Sequence, residues 1–209
     1  MEYRSFTIGD LMTNCYLVWV GKEAGVIDPG GPVDGIERFL RENSLKLQWI
    51  INTHGHGDHI AGNAALQQKF EVPIWIHAAD REMLSSPTAN LSAFMGESVT
   101  SPDADRELND GDQIALGNEW IQVITTPGHT PGGISLLSPG LAFVGDTLFF
   151  ESIGRTDFPG GNHQELLKSI RERLFLLPAQ TKVFPGHGEV TSIGYEMKNN
   201  LYVDEDSAD

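Results

Sequence analysis

The sequence predicts an α/β fold. Apolar runs of strand length alternate with amphipathic stretches of helix length, an order that places helices against sheet. Tight turns rich in glycine close several of the apolar runs. With 209 residues, 40% of them hydrophobic, the chain is long enough to bury a substantial core.

The elements follow in order. Tyr3 to Ile8, Cys15 to Val20 and Gly25 to Asp28 read as strands. Pro32 to Asn43 reads as a helix with proline at its start and Ile36, Phe39 and Leu40 on one face. Leu47 to Asn52 is a buried strand, Gly62 to Phe70 a short helix, Pro73 to His77 a strand, and Asp80 to Leu84 a further helical turn. Ser85 to Asp105 is rich in Ser, Pro, Asn and Asp and reads as a long loop, a kind of segment that often carries function. Gln113 to Leu116, Trp120 to Thr125, Ile134 to Leu137 and Leu141 to Val144 form the strands of a second half. His163 to Leu177 is an amphipathic helix stopped by Pro178, and Lys182 to Phe184 is the last strand. No linker interrupts this order, so residues 1–209 are expected to form one domain, with a solvated, disordered acidic end from about residue 203.

The chemistry is concentrated after the strand that ends at Asn52. Thr53-His54-Gly55-His56-Gly57-Asp58-His59 contains four potential metal ligands, and three of the chain's seven histidines. Imidazole and carboxylate are the side chains that hold zinc and related divalent ions, and this density is uncommon in a chance polar loop. In extended chain His54 and His56 point to the same side. Three further candidates each follow an apolar run and a glycine: His129 in Pro127-Gly128-His129, Asp146 in Val144-Gly145-Asp146, and His187 in Pro185-Gly186-His187. Singly, each reads as a turn residue. Together with the first segment they make seven ligands at four strand ends, a pattern that suggests one site for two ions.

On these residues the chain resembles the metallo-β-lactamase superfamily: His-x-His-x-Asp-His, then a separate His, Asp and His, with Val26-Ile27-Asp28-Pro29-Gly30 matching the family's strand and turn. Within the superfamily it looks most like the small glyoxalase II-like proteins of bacteria, through Gly145-Asp146-Thr147-Leu148-Phe149 and Gly154-Arg155-Thr156-Asp157-Phe158-Pro159-Gly160-Gly161. The resemblance implies a four-layer αββα sandwich, with two mixed β-sheets face to face, helices outside, and metals in a cleft at one edge. It implies that His54, His56 and His129 hold one ion, that Asp58, His59 and His187 hold a second, and that Asp146 bridges them. Zinc is the first expectation; iron and manganese suit the same ligands. Two such ions can share a water and lower its pKa toward neutrality, giving a bridging hydroxide that attacks a thioester carbonyl. No Gly-x-Ser-x-Gly elbow offers a protein nucleophile instead. Asp58 has a second expected role as proton acceptor.

The resemblance further implies a substrate: an acyl thioester of the S-D-lactoylglutathione class. Arg155 matches a basic residue that binds a glutathione carboxylate, and Phe158 shapes the same loop; the competing reading is that Arg155 pairs with Asp157 and holds the loop. The chain departs from the glyoxalase II pattern in three places. Only 22 residues follow His187, too few for the usual helical C-terminal domain; no aromatic residue clearly follows the basic one; and Asp-His-x-Gly-Gly reads Asp58-His59-Ile60-Ala61-Gly62.

Composition excludes several partners. A net charge of −15 repels phosphate backbones and argues against nucleic acid. No apolar run reaches the length of a membrane span, Met1-Glu2-Tyr3-Arg4 lacks a signal-peptide pattern, and Cys15, within an apolar run, is the single cysteine; these predict a buried inert thiol and a reducing cytoplasm. The alternatives to a thioesterase are a mononuclear-iron persulfide dioxygenase, a β-lactam hydrolase and a non-catalytic metal-binding module. The retained Pro185-Gly186-His187-Gly188 weighs against the dioxygenase, and cytoplasmic character and the placement of Asp58 weigh against the β-lactam hydrolase. His77 and His163 have no partner ligand nearby in sequence and are expected to play ordinary roles.

Overall fold

The computed structural model describes residues 1–203. The acidic end therefore lies outside the described residues, except Val203, which is buried. The first six strands are β1 (Glu2–Ile8), β2 (Thr13–Val20), β3 (Glu23–Ile27), β4 (Lys46–Ile51), β5 (Ile74–His77) and β6 (Arg106–Leu108). They form one mixed sheet in sequence order, antiparallel from β1 to β3 and parallel from β3 to β6. The second half supplies β7 (Gln113–Leu116), β8 (Glu119–Thr125), β9 (Ile134–Ser138), β10 (Leu141–Gly145), a small hairpin of β11 (Leu148–Phe149) and β12 (Ser152–Ile153), then β13 (Lys182–Pro185) and β14 (Thr191–Ser192). Its six-stranded sheet has the order β14-β13-β10-β9-β8-β7.

Alternation along each strand assigns the layers. In β2, Tyr16 and Val18 point to a core shared with Ile114, Ile121, Val123, Leu136, Phe143 and Phe184 of the second sheet. Their neighbours Cys15 and Leu17 point the other way, onto helices α1 (Asp34–Glu42) and α3 (Asn63–Phe70), which contribute Ile36, Leu40 and Leu66. The second sheet does the same with Ala142, Val144 and Val183 against α4 (His163–Ser169) and α5 (Ile193–Asn199). The result is the expected four layers, helix, sheet, sheet, helix. Strands buried on both faces explain why the apolar runs are continuous rather than alternating with polar residues. Among the described residues no helix is long and apolar enough to cross a membrane.

Several elements differ from the sequence reading, each for a local reason. The loop from Ser85 to Asp105 holds a short 3₁₀ turn, Ser92–Met95, and leads into β6, a strand with Leu108 as its single buried residue. The one-turn helix α2 (Gly57–Ile60) is too short for a 3.6-residue period to register. The helix expected from His163 to Leu177 is regular only to Ser169. It then widens into a π turn, Ile170–Leu174, where the Phe175 N–H donates to the Ile170 carbonyl at 2.8 Å. Helix α5 buries only Ile193 and Glu196, so it carries little hydrophobic pattern.

Strand direction then positions the site. β8, β10 and β13 run the same way in the second sheet and finish at one edge. His129, Asp146 and His187 lie just beyond their ends, and His54 to His59 just beyond the end of β4 in the first sheet. The edges are laced together: the Gly186 N–H donates to the Gly145 carbonyl at 2.8 Å, and the Ile134 N–H to the Thr53 carbonyl at 2.9 Å.

Candidate metal centre

All seven predicted ligands converge. His54, His56 and His129 form one group, Asp58, His59 and His187 another, and Asp146 faces both, joining His54 and His59 in a third overlapping group; in each group the ligand atoms lie within 4.8 Å of one another. His56 Nδ1 and His129 Nε2 are 3.0 Å apart, and His59 Nε2 and His187 Nε2 are 3.3 Å apart. Asp58 Oδ2 lies 3.1 Å from His187 Nε2 and 3.5 Å from His59 Nε2. Asp146 Oδ2 is 3.5 Å from His129 Nε2 and 3.6 Å from His187 Nε2, while its Oδ1 is 3.4 Å from His59 Nε2. Donors about 2.0–2.1 Å from a common tetrahedral ion stand about 3.3–3.4 Å from each other. The observed spacings bracket that value.

Two orphaned atoms support the same fit. His54 Nε2 and Asp146 Oδ1 are buried and make no hydrogen bond. A buried polar atom without a partner is costly and calls for an explanation. Cations held between imidazole and carboxylate supply one for both atoms at once, and the donor set suits Zn, Fe or Mn.

Electrostatics separates the two groups. Burial, reinforced by neighbouring histidines, lowers the proton affinity of His54, and the same causes bring His56 down to about 3, leaving both imidazoles neutral with lone pairs to give. In the other group burial also pulls down, but carboxylates win. Asp58, then Asp146 and Asp28, push His59 up to about 10, and a hydrogen bond with Asp58 raises His187. Asp58 is affected reciprocally: burial raises it, and His59 and His187 outweigh that and hold it well below the usual carboxylate range. This group carries enough negative charge to retain protons wherever a cation is lacking.

The outer faces of several ligands are held by groups to which the sequence assigns no such role. His129 Nδ1 sits 2.7 Å from the Arg155 carbonyl, and His187 Nδ1 3.0 Å from the Leu11 carbonyl, which directs the opposite nitrogens inward. The Thr13 hydroxyl donates to Asp58 Oδ2 at 3.1 Å. Asp28 is buried, with φ of +52°. It accepts from the Thr53 N–H at 2.7 Å and the Thr53 hydroxyl at 2.6 Å, and its Oδ2 stands 3.1 Å from His59 Nδ1. Asp80, fully buried, accepts from the Gly55 N–H at 3.1 Å and the Gly132 N–H at 2.7 Å. One carboxylate thus ties the His54–His56 loop to the loop that carries His129. The Gly186 Cα packs so closely that a Cβ there would overlap Asp146 Oδ1 and come within 2.7 Å of His59 Cε1.

The ligands open onto a cleft of about 690 Å³. Arg155 and Phe158 both line it. The Arg155 guanidinium lies 4.0 Å from the centre of the Phe158 ring and donates to both Asp157 oxygens, at 2.8 and 2.7 Å. Phe158 in turn meets His56 edge-on, with ring centres 5.9 Å apart. His77 and His163 stay outside all three groups; His77 caps a helical turn by accepting from the Ala79 N–H.

Comparison with known proteins agrees with this geometry. The family described as "Metallo-beta-lactamase superfamily" matches residues 8–187. The probable metallo-hydrolase YqgX of Bacillus subtilis is 32% identical, over 97% of this chain and 98% of its own. The hydroxyacylglutathione hydrolase GloC of Haemophilus influenzae is 35% identical, over 93% and 94%. Among solved structures, BLEG-1 B3 metallo-beta-lactamase superposes with a TM-score of 0.93 at 36% identity, covering 97% of this chain and 99% of that one. TTHA1623, solved in a di-iron-bound form, gives 0.87 at 33%, covering 95% and 99%. ETHE1 from Myxococcus xanthus gives 0.79 at 30%, covering 96% and 84%. With its fold, its ligand groups and its relatives in agreement, the chain belongs to the metallo-β-lactamase superfamily.

Proposed function

We propose that this protein hydrolyses acyl thioesters, in the manner of a glyoxalase II, at a centre of two divalent ions. One observation carries the reading: two complete ligand groups share Asp146 at the floor of an open cleft. His54, His56 and His129 would hold one ion, Asp58, His59 and His187 the other, and Asp146 both. When bound, the ions supply a water acidified toward neutrality and a Lewis acid for the carbonyl. The remaining work belongs to the chain. Asp28, Asp80 and the carbonyls of Leu11 and Arg155 fix the imidazoles, so little reorganisation is left for turnover. His59 and His187 hold Asp58 well below the usual carboxylate range, which suits a ligand; as proton acceptor it would take up a proton only transiently. Phe158 and the Arg155 side chain form the wall beside His56 and receive the thiol carrier. Similarity to GloC supports S-D-lactoylglutathione as the first substrate to try. We place the protein in the cytoplasm, acting on a small molecule rather than on nucleic acid.

Similarity to BLEG-1 favours a second reading, hydrolysis of a β-lactam amide by the same centre. Metal analysis and an activity panel on one sample separate the readings. Two ions per chain with release of free thiol from thioesters is the expected result. One iron per chain with oxygen-dependent consumption of a persulfide would favour the dioxygenase, preferential β-lactam turnover the lactamase, and absence of bound metal a non-catalytic module.

A further inference from the structure

We infer that the acyl group taken by this site is apolar and uncharged, and that Phe94 and Met95 form the wall that selects it; this rests on the thioester reading above. The cleft over the ligands is walled largely by carbon: Leu11, Leu91, Phe94, Met95, Phe149 and Phe158 line it. Phe94 and Met95 are 74% and 54% exposed, large apolar side chains held at the mouth of a metal cleft rather than in a core. They are held deliberately. Their 3₁₀ turn begins after Leu91, which adopts φ of +68°, a conformation disfavoured for a side chain of this kind. Asn90, itself buried, pins that turn: its amide donates to the carbonyls of Met83 and Val99, both at 2.9 Å, and its side-chain oxygen accepts from the Ser92 N–H at 3.1 Å. Its carbonyl accepts from the Gly57 N–H at 2.9 Å, so the turn is fastened directly to the segment between His56 and Asp58.

Charge points the same way. Beyond the candidate ligands, Arg155 is the single charged residue lining the cleft among the described residues, and Asp157 already neutralises it. On the far side of Leu11, Asp58 and Met95 lies a second groove, of about 670 Å³, bordered by Asp10, Asp34, Glu37 and Glu97. An anionic acyl group in the cleft therefore meets a carbon wall with no free cation to pair with, whereas an aliphatic or aryl group gains contact with Phe94, Phe149 and Met95. The reaction is an ordinary hydrolysis. The carbonyl carbon gains oxygen from water and loses sulfur, one proton of the water ends on the leaving thiolate, and no electrons are exchanged with another reagent.

The test uses the metal-loaded full chain and thioesters of one uncharged carrier, N-acetylcysteamine, with acyl groups from acetyl to octanoyl and with succinyl as the anionic control. Release of free thiol should give a kcat/KM that climbs roughly two- to fourfold per methylene until the cleft is filled. Succinyl should fall at least tenfold below pentanoyl. Phe94→Ser, a change on an exposed turn that leaves the core untouched, should flatten the climb, and Phe94→Leu should restore part of it. A flat or falling series in the native protein, or a slope unchanged in Phe94→Ser combined with Met95→Ser, would overturn the inference while leaving the thioester reading intact. No hydrolysis of any member, or of S-D-lactoylglutathione, by protein carrying both ions would overturn the thioester reading, and this inference with it.

Discussion

The two ligand groups differ in how they are built, although they share Asp146. The His54, His56 and His129 group is buried, wholly imidazole, and poor at holding protons where His54 and His56 are concerned. The Asp58, His59 and His187 group is only partly buried at Asp58 and His187, includes a carboxylate, and has its proton affinity raised at both His59 and His187. The first group offers neutral lone pairs on buried side chains and is ready for a metal. The second is an anionic pocket in which a metal must displace protons. Occupancy of the second position should therefore depend more on pH, and each prediction below breaks or sharpens that contrast.

The largest effect is expected at the residue the groups share. Asp146→Ala removes the one anion that faces both groups and should reduce bound metal to less than one ion per chain. Turnover should fall well beyond the roughly 10–100-fold typical of losing a supporting residue. Metal quantification by mass spectrometry alongside thioester kinetics checks this, and two ions with near-normal kcat would remove Asp146 from its bridging place. Gly186→Ala should approach the same phenotype without replacing a ligand, because the new methyl would overlap Asp146 Oδ1 and press on His59.

Next come two buried carboxylates that support different groups. Asp80→Asn weakens the tie between the His54–His56 loop and the His129 loop, so it should lower affinity at the first position about 10–100-fold. Asp28→Asn removes the anion beside His59 Nδ1 and should do the same at the second. Competition against a graded chelator would show two-step release with opposite steps affected. Identical profiles for the two variants would mean the positions are not independent.

These two residues also mark where the sequence stops being readable. His54, His56, Asp58 and His59 can be picked out because four ligands crowd into one turn, and His129, Asp146 and His187 because each follows an apolar run and a glycine. Asp28 and Asp80 meet their partners only through the fold. Each lies 25 residues from the backbone N–H it binds near His54, and Asp80 lies 52 from Gly132. In the sequence Asp80 is one acid near a strand end, like many others, and Asp28 figures only as part of the Val26-Ile27-Asp28-Pro29-Gly30 turn, with no hold on a ligand to be read from it. The same holds for the fold. Strands buried on both faces announce themselves, whereas β6, β14, α2 and α5 are too short or too polar to carry a period, and their places are set by the sheets they join.

Stability of the metal-free protein should report the contrast as a function of pH. His56 stands at about 3 in the folded chain against its ordinary 6.5, so the folded state refuses a proton that the unfolded chain accepts. Stability is lost as pH falls from about 6.5 toward 3. His59 stands at about 10, so it contributes stability that is complete below pH 6.5 and is lost as pH rises toward 10. The melting temperature of chelator-treated protein should therefore decline on both sides of near-neutral pH. Restoring metal should abolish the alkaline decline, since a cation then replaces the proton at the second group. An alkaline decline that persists in metal-loaded protein would show that His59 is not a ligand.

The smallest effect is expected at Arg155. Its guanidinium is exposed and already donates twice to Asp157, and an exposed pair of this kind contributes little to stability. To grip a substrate carboxylate it must leave Asp157, so the gain on binding is the difference between two similar ion pairs. A remote carboxylate contact is also equally present in ground and transition states, so its loss removes uniform binding. Arg155→Ala should therefore raise KM for S-D-lactoylglutathione only a few-fold, with kcat nearly unchanged, and Arg155→Lys should fall between, keeping charge but losing the bidentate fork. Asp157→Ala sharpens the test, because it frees the guanidinium and should lower KM for the same anionic thioester. An unchanged KM in all three variants, with both metals bound, would leave Arg155 its backbone carbonyl, which holds His129, and its stacking on Phe158 as its whole contribution to the site.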